Sequence, residues 1–242
     1  MVSFGKIQIG KFKLTAPAVA ASIIGEEVAS MKSKIPEAIG DGADIIELRL
    51  DGLSKMGGWE KMLQVNLPVI VTNRPKREGG KFSGKEADRL KTLAYAIERE
   101  APCVDIELST KNPQLKKLIR QAKEKDVSVI LSYHNLKKTP AVDFLINVAK
   151  RARDEGCDIV KIVTFAKGPK DALRVLDFLV RAREEIDVPL IAFAMGEAGR
   201  FSRIVAPMLG SPIVYASVDE ATAPGQLKVS FAKMLLTELR GP

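Results

Sequence analysis

Asp158-Ile159-Val160-Lys161-Ile162-Val163-Thr164-Phe165 is an almost unbroken apolar run with one lysine at its centre. Val and Ile dominate it, which is the pattern of a strand covered on both faces in a parallel sheet. A lysine inside such a strand is costly, because burial strips the ammonium of its hydration. The usual escape is a lowered pKa, and a neutral amine can then attack a carbonyl. An ion pair of Lys161 with Glu47 or Glu107 is the competing structural reading.

Outward from this stretch, the chain alternates between short apolar strands and amphipathic helices. The pattern predicts strands at 18–23, 43–51, 68–73, 103–109, 128–134, 158–165, 189–195 and 212–218. Helices are predicted at 26–38, 59–65, 86–100, 113–125, 141–155, 170–185, 200–209 and 226–239. Eight strand–helix units in succession imply parallel pairing with right-handed crossovers. They recur roughly every 25 to 30 residues, which suits an α/β fold of the (β/α)8 TIM barrel type. The segment Phe4–Phe12 reads as a β-hairpin turning at Gly10 and closing the bottom of the barrel. No Pro/Gly-rich linker divides the chain, so residues 1–242 are expected to form a single domain. A doubly wound sheet would carry a Gly-rich first turn, and no GxGxxG follows the first strand.

Composition narrows the function. Of 242 residues 46% are hydrophobic and 28% charged, as in an ordinary globular protein. No apolar run reaches membrane-spanning length and no signal peptide is seen, so no membrane association and a cytoplasmic location are expected. Cys103 and Cys157 stand far apart and form no CxxC pair, which argues against a zinc site or a disulfide framework. The net charge of +8 is spread among acidic residues, and aromatics are only 5%. That favours a small anionic substrate over nucleic acid.

In such a barrel, ligands bind at the C-terminal ends of the strands. Strand alternation puts Glu47, Arg49 and Asp51 on one face and Ile46, Leu48 and Leu50 on the other. The apolar face suits the helices, so the charged face points inward. Asp105 and Glu107 repeat the pattern, either for chemistry or as a buried polar network. His134, the single histidine, ends its strand on the neighbour of the Lys161 strand and is the candidate general base. Arginines nearby would depress the lysine pKa and hold an anion. The polar stretch 74–84 reads as a flap over the strand ends, and 221–226 as a second lid.

Together these residues resemble the type I 3-dehydroquinate dehydratase family, the Schiff-base dehydratases of the shikimate pathway. The resemblance rests on Glu-Leu-Arg-Leu-Asp at 47–51, Thr72-Asn73-Arg74-Pro75, Ser132-Tyr133-His134 and the 158–161 strand. Met195-Gly196 with Ser202-Arg203, and Ala223-Pro224-Gly225-Gln226, complete it in the same order. It implies a homodimeric barrel that needs no metal and no cofactor. By resemblance, Lys161 forms an imine with the ketone of 3-dehydroquinate and His134 is the general acid/base, positioned by Glu78. Glu47, Arg49 and Arg74 contact the substrate ring and hydroxyls, and Arg203, Thr222 and Gln226 hold its carboxylate region. Thr222 stands where the family often has serine, which keeps the hydroxyl and adds a methyl. A class I aldolase or transaldolase, or an anion-binding barrel without activity, would fit the bare pattern of residues as well.

Overall fold

The strand–helix alternation is realised along the whole chain. The computed structural model describes residues 5–219 and 223–240. An N-terminal hairpin, β1 (Lys6–Ile9) and β2 (Phe12–Thr15), precedes the sheet. The sheet strands are β3 (Ala18–Ile24), β4 (Ile45–Arg49), β5 (Val69–Thr72), β6 (Cys103–Glu107), β7 (Ser128–His134), β8 (Ile159–Phe165), β9 (Leu190–Met195) and β10 (Ile213–Ser217), with a short β11 (Leu227–Lys228). The helices are α1 (Val28–Gly40), α2 (Glu86–Glu98), α3 (Asn112–Glu124), α4 (Val142–Asp154), α5 (Pro169–Ala182), α6 (Ser202–Met208) and α7 (Val229–Arg240).

All sheet pairs are parallel, in the order β11-β10-β3-β4-β5-β6-β7-β8-β9. β3 to β10 supply the eight staves of a (β/α)8 barrel. At the seam between β9 and β10, the Gly196 N–H reaches the Pro224 carbonyl at 3.4 Å.

Strand alternation sorts the side chains into layers. Outward residues such as Ile46, Leu48, Val71, Val104, Ile106, Val160 and Ile162 pack against the helices. Their spacing on α3 shows how: Leu115, Leu118, Ile119 and Ala122 are buried on one face, and Pro113 opens the helix where its missing N–H is not needed. Inside, Ile45, Ile70, Cys103, Ile130, Ile159, Ile191 and Ile213 join Ile7 and Ile9 of the hairpin in one cluster. Each such aliphatic side chain contributes about 1.5–3 kcal/mol when fully buried.

The hairpin therefore closes the N-terminal end of the barrel. Its turn is Gly10 at φ +54°, and a Cβ there would meet the Pro102 carbonyl at 2.9 Å. The Gly10 N–H donates to Ser128 Oγ at 2.8 Å, at the start of β7.

Two residues further along β4 to β8 the interior changes from apolar to polar, while β9 and β10 continue with Phe193 and Tyr215. Ser22 lies beside Glu47, Thr72 beside Asp105, and Ser132 beside Lys161 in the ladders. A buried polar layer persists only when its members satisfy one another.

The elements differ from expectation in three places. The strand expected over 43–51 stops at Arg49, and Leu50–Gly52 form a 3-10 turn that swings Asp51 off the strand face. The helix expected over 59–65 is a five-residue 3-10 helix, Trp59–Leu63, with Trp59 and Met62 buried at the i, i+3 spacing of that helix. It begins after Gly58 at φ +80° and is too short to nucleate an α-helix. Gln226 precedes β11 rather than opening the last helix, and α7 begins at Val229.

Candidate active site

Above the polar layer the barrel opens into a cavity of about 280 Å³. Its walls include Glu47, Arg49, Arg74, Glu78, His134, Lys161, Arg203 and Gln226. These eight residues from separate parts of the chain thus meet in one cavity. Thr222 lies outside the described residues. Ser22, Leu136, Phe193, Met195 and Tyr215 also line the cavity.

Lys161 rises from the middle of β8, and its side chain is nearly buried. Nζ donates to Asp105 Oδ2 at 3.0 Å and lies 3.8 Å from Glu47 Oε1. It sits over the Tyr215 ring, 3.8 Å from the centroid. Glu47 is itself tied down, accepting from Ser22 Oγ at 2.5 Å and Thr72 Oγ1 at 2.9 Å. The structural pairing therefore exists, with Asp105 in the place expected for Glu107. Nearest to the amine are carboxylates, where arginines were expected.

Arg74 explains that exchange. Its guanidinium donates from Nη2 to Asp105 Oδ2 at 2.7 Å, and from Nη1 to Glu107 Oε1 at 2.5 Å and Ser132 Oγ at 2.6 Å. Asp105 Oδ2 thus receives both Arg74 and Lys161. Burial would push the Asp105 carboxyl up, but the charges of Arg74 and Lys161 hold it well below the usual carboxylate range. Glu107 is drawn away by Arg89, a fully buried arginine of α2 that also bonds Thr110 Oγ1 at 3.0 Å and Glu86. Burial pushes the Glu107 carboxyl up, against the pull of Arg74 and Arg89. Asp105 and Glu107 form the buried network beneath the cavity.

His134 ends β7 and meets Glu78 from the segment after β5. Nδ1 lies 3.1 Å from Glu78 Oε2, and the His134 backbone N–H donates to the same oxygen at 3.2 Å. Ser109 Oγ donates to Glu78 Oε1 at 2.5 Å. Burial opposes ionisation of Glu78, yet the bonds from His134 and Ser109 and the charge of Arg74 keep its carboxyl below the ordinary value. Burial, helped by Arg74, lowers His134 to about 4. The imidazole is therefore neutral at pH 7. With Nδ1–H aimed at an ionised Glu78, Nε2 carries the free lone pair.

The two remaining arginines differ. Arg49 is clamped to Asp51 through Nε and Nη2, both at 2.8 Å. Arg203 is buried without a carboxylate partner among the described residues. It stacks on Phe193 at 4.2 Å, gives one long hydrogen bond to the Pro224 carbonyl at 3.3 Å, and leaves Nε unpaired. Burial lowers it to about 9. A buried cation that lines a cavity, with no counter-ion among the described residues, has the chemistry to bind an anion.

The segment expected to be a flap is hydrogen-bonded along its length. Lys76 N–H reaches the Phe82 carbonyl at 3.0 Å, Phe82 N–H the Arg74 carbonyl at 3.2 Å, and Lys76–Glu78 form a 3-10 turn. Gly79 packs under Leu136 of the loop after β7, so the two segments meet over the cavity.

Comparisons with known proteins place the chain in a family. The family model described as Type I 3-dehydroquinase matches residues 19–241. A protein of Methanothermobacter thermautotrophicus named 3-dehydroquinate dehydratase is 36% identical over 97% of this chain and 97% of its own. One of the same name from Pyrococcus abyssi is 37% identical over 86% of this chain and 93% of its own. The crystal structure of 3-dehydroquinate dehydratase from Geobacillus kaustophilus HTA426 superposes with a TM-score of 0.90 at 26% identity, covering 99% of this chain and 98% of that one. With a parallel barrel, a lysine and a histidine on adjacent strands, and a buried arginine without a carboxylate partner among the described residues in one cavity, the chain is an enzyme of the type I 3-dehydroquinase family.

Proposed function

We propose that this enzyme dehydrates 3-dehydroquinate to 3-dehydroshikimate through a Schiff base on Lys161. The observation that carries the reading is the shared cavity. One buried amine, one neutral imidazole and one guanidinium with no carboxylate partner among the described residues face a space the size of a small ring acid.

The Arg203 guanidinium takes the substrate carboxylate, with Gln226 and Thr222 beside it. Glu47, Arg49 and Arg74 meet the ring and its hydroxyls. The ketone carbon C3 then lies over Lys161. The amine gives its proton to a neighbouring base, adds to the carbonyl carbon, and water leaves to form the imine. The protonated imine acidifies the C2 hydrogen. His134 Nε2 removes that proton while Glu78 holds the ring by Nδ1–H and stabilises the imidazolium. The enamine electrons expel the C1 hydroxyl, which takes the same proton from His134 and departs as water. Addition of water to the imine frees the enone and restores the amine. A single base that serves both steps makes the elimination syn.

The experiment is reductive trapping. Incubation with 3-dehydroquinate and borohydride, followed by peptide mass mapping, is expected to place the added mass on Lys161 and on no other lysine. The Lys161→Ala protein should take up none. Turnover should give an ultraviolet-absorbing enone and no carbon fragment, since release of a fragment would indicate an aldolase. An unmodified Lys161 in an enzyme that still makes the enone would overturn the proposed mechanism.

A further inference from the structure

We infer that Asp51 is a positioning residue that clamps the 74–84 segment over the cavity and thereby sets the tautomer of His134. This rests on the reading of His134 as the base, and extends it to a carboxylate that touches neither the imidazole nor the amine.

Asp51 is buried, and both of its oxygens are fully used. Oδ1 accepts Arg49 Nε at 2.8 Å and the Arg74 backbone N–H at 3.2 Å. Oδ2 accepts Arg49 Nη2 at 2.8 Å and the Lys81 backbone N–H at 2.9 Å. One carboxylate thus ties the end of β4 to both arms of the 74–84 segment. Burial would raise its pKa, but the Arg49 contact and the Lys81 and Arg74 N–H groups lower it, so it is ionised at neutral pH. Charge-assisted hydrogen bonds of this kind are roughly twice as strong as neutral ones.

Glu78 sits at the crest between those two arms. Its carboxylate is the partner of His134 Nδ1 and of the His134 backbone N–H. The turn is also held by Ser109 Oγ on Glu78 and by the part-exposed Arg77–Glu86 pair at 3.1 Å, but the buried charged group that fixes both arms is Asp51. Slackening the anchor lets Glu78 withdraw. The imidazole then favours the Nε2–H form that a free side chain prefers in water, which places a proton where the lone pair is needed. Release of Asp51 also frees the Arg49 fork to swing into the cavity.

The chain holds a single histidine, so its ring nitrogens can be read without ambiguity. The test is 15N NMR of uniformly labelled protein, parent against Asp51→Asn and Lys81→Pro, with no substrate present. Lys81→Pro removes one N–H donor at an exposed position and leaves the Arg49–Asp51 pair untouched. The parent is expected to show protonated Nδ1 and bare Nε2. Both variants should move population toward protonated Nε2. Their kcat should fall by about 10- to 100-fold, within the range of a compromised general base, while borohydride trapping at Lys161 persists. If Asp51→Asn does not fold, Lys81→Pro carries the test alone. A parent-like tautomer pattern in a folded variant overturns the inference. The spectrum needs no turnover, so failure of the dehydratase reading would leave a tautomer change intact and is told apart from failure of the clamp.

Discussion

Replacing Arg203 by methionine should make the ligand-free protein more stable and its binding of a carboxylate much weaker. The guanidinium is protonated at neutral pH in folded and unfolded chains alike. Burial lowers its pKa from 12.5 to about 9, so the cost of holding the charge is fully present at pH 7 and is relieved only as pH rises past 9. At roughly 1.4 kcal/mol per pH unit the displacement corresponds to about 5 kcal/mol. Against this stand the stacking on Phe193, worth ~0.5–2 kcal/mol, and the long bond to Pro224, worth at most ~1.5 kcal/mol. Methionine keeps the length and the contact with Phe193 without the charge, as when buried ion pairs are replaced by apolar residues. A net gain of about 1–3 kcal/mol is expected, and a chain of this size should melt about 3–10 °C higher. Binding moves the other way. Loss of a buried cation from a carboxylate costs about 2–5 kcal/mol, or roughly 30- to several thousand-fold in Kd. Thermal unfolding with and without quinate, which has the carboxylate but no ketone, reads both quantities. An Arg203→Met protein that melts below the parent while binding quinate equally well would refute the reasoning.

Acid should weaken the fold through His134. Its folded value of about 4 lies below the ordinary 6.5, so between those pH values the unfolded chain binds a proton that the folded one refuses. Stability therefore drops as pH falls from 6.5 to 4, and His134→Gln should flatten that part of the profile in urea titrations. The lowered carboxyls of Glu78 and Asp51 act in the same direction, since their stabilisation is also lost on acidification. Arg89→Leu should lower stability by about 3–5 kcal/mol by stripping Glu107 of a buried partner, and an unchanged unfolding midpoint would contradict the network described. Gly80→Ala should lower both melting temperature and kcat, because the new Cβ runs into the Arg74 carbonyl. Parent-like kinetics would mean the segment has room to shift.

The sequence carried the fold in its alternation. The inward face of 45–49 could be read directly, because Ile46 and Leu48 had to meet helices and left Glu47 and Arg49 for the interior. The same logic found Lys161 and put His134 one strand away. Partners across the barrel were not legible. Lys161 pairs with Asp105, although β6 and β8 are not adjacent and no local pattern encodes their approach. Arg89 was missed because a helix arginine ordinarily reads as solvated, and it is the packing of α2 against β5, β6 and α3 that buries it. Tyr215 and Phe193 could have been found by extending the inward alternation to β9 and β10. Asp51 was seen on the charged face, but its two backbone N–H donors come from a segment whose path the sequence did not give.

The hairpin plug has a consequence for traffic. With Ile7 and Ile9 filling the floor, the described residues shape the barrel as a flask closed at its base, and on the proposed reading the ring of the substrate stands in its neck. On the proposed imine route water is released as the imine forms, released again at the elimination, and consumed when the imine is hydrolysed, so each molecule has to slip past the ligand or wait beside it. The order in which solvent and product leave the flask would then be imposed by its shape, and widening the neck at Leu136 should loosen that order.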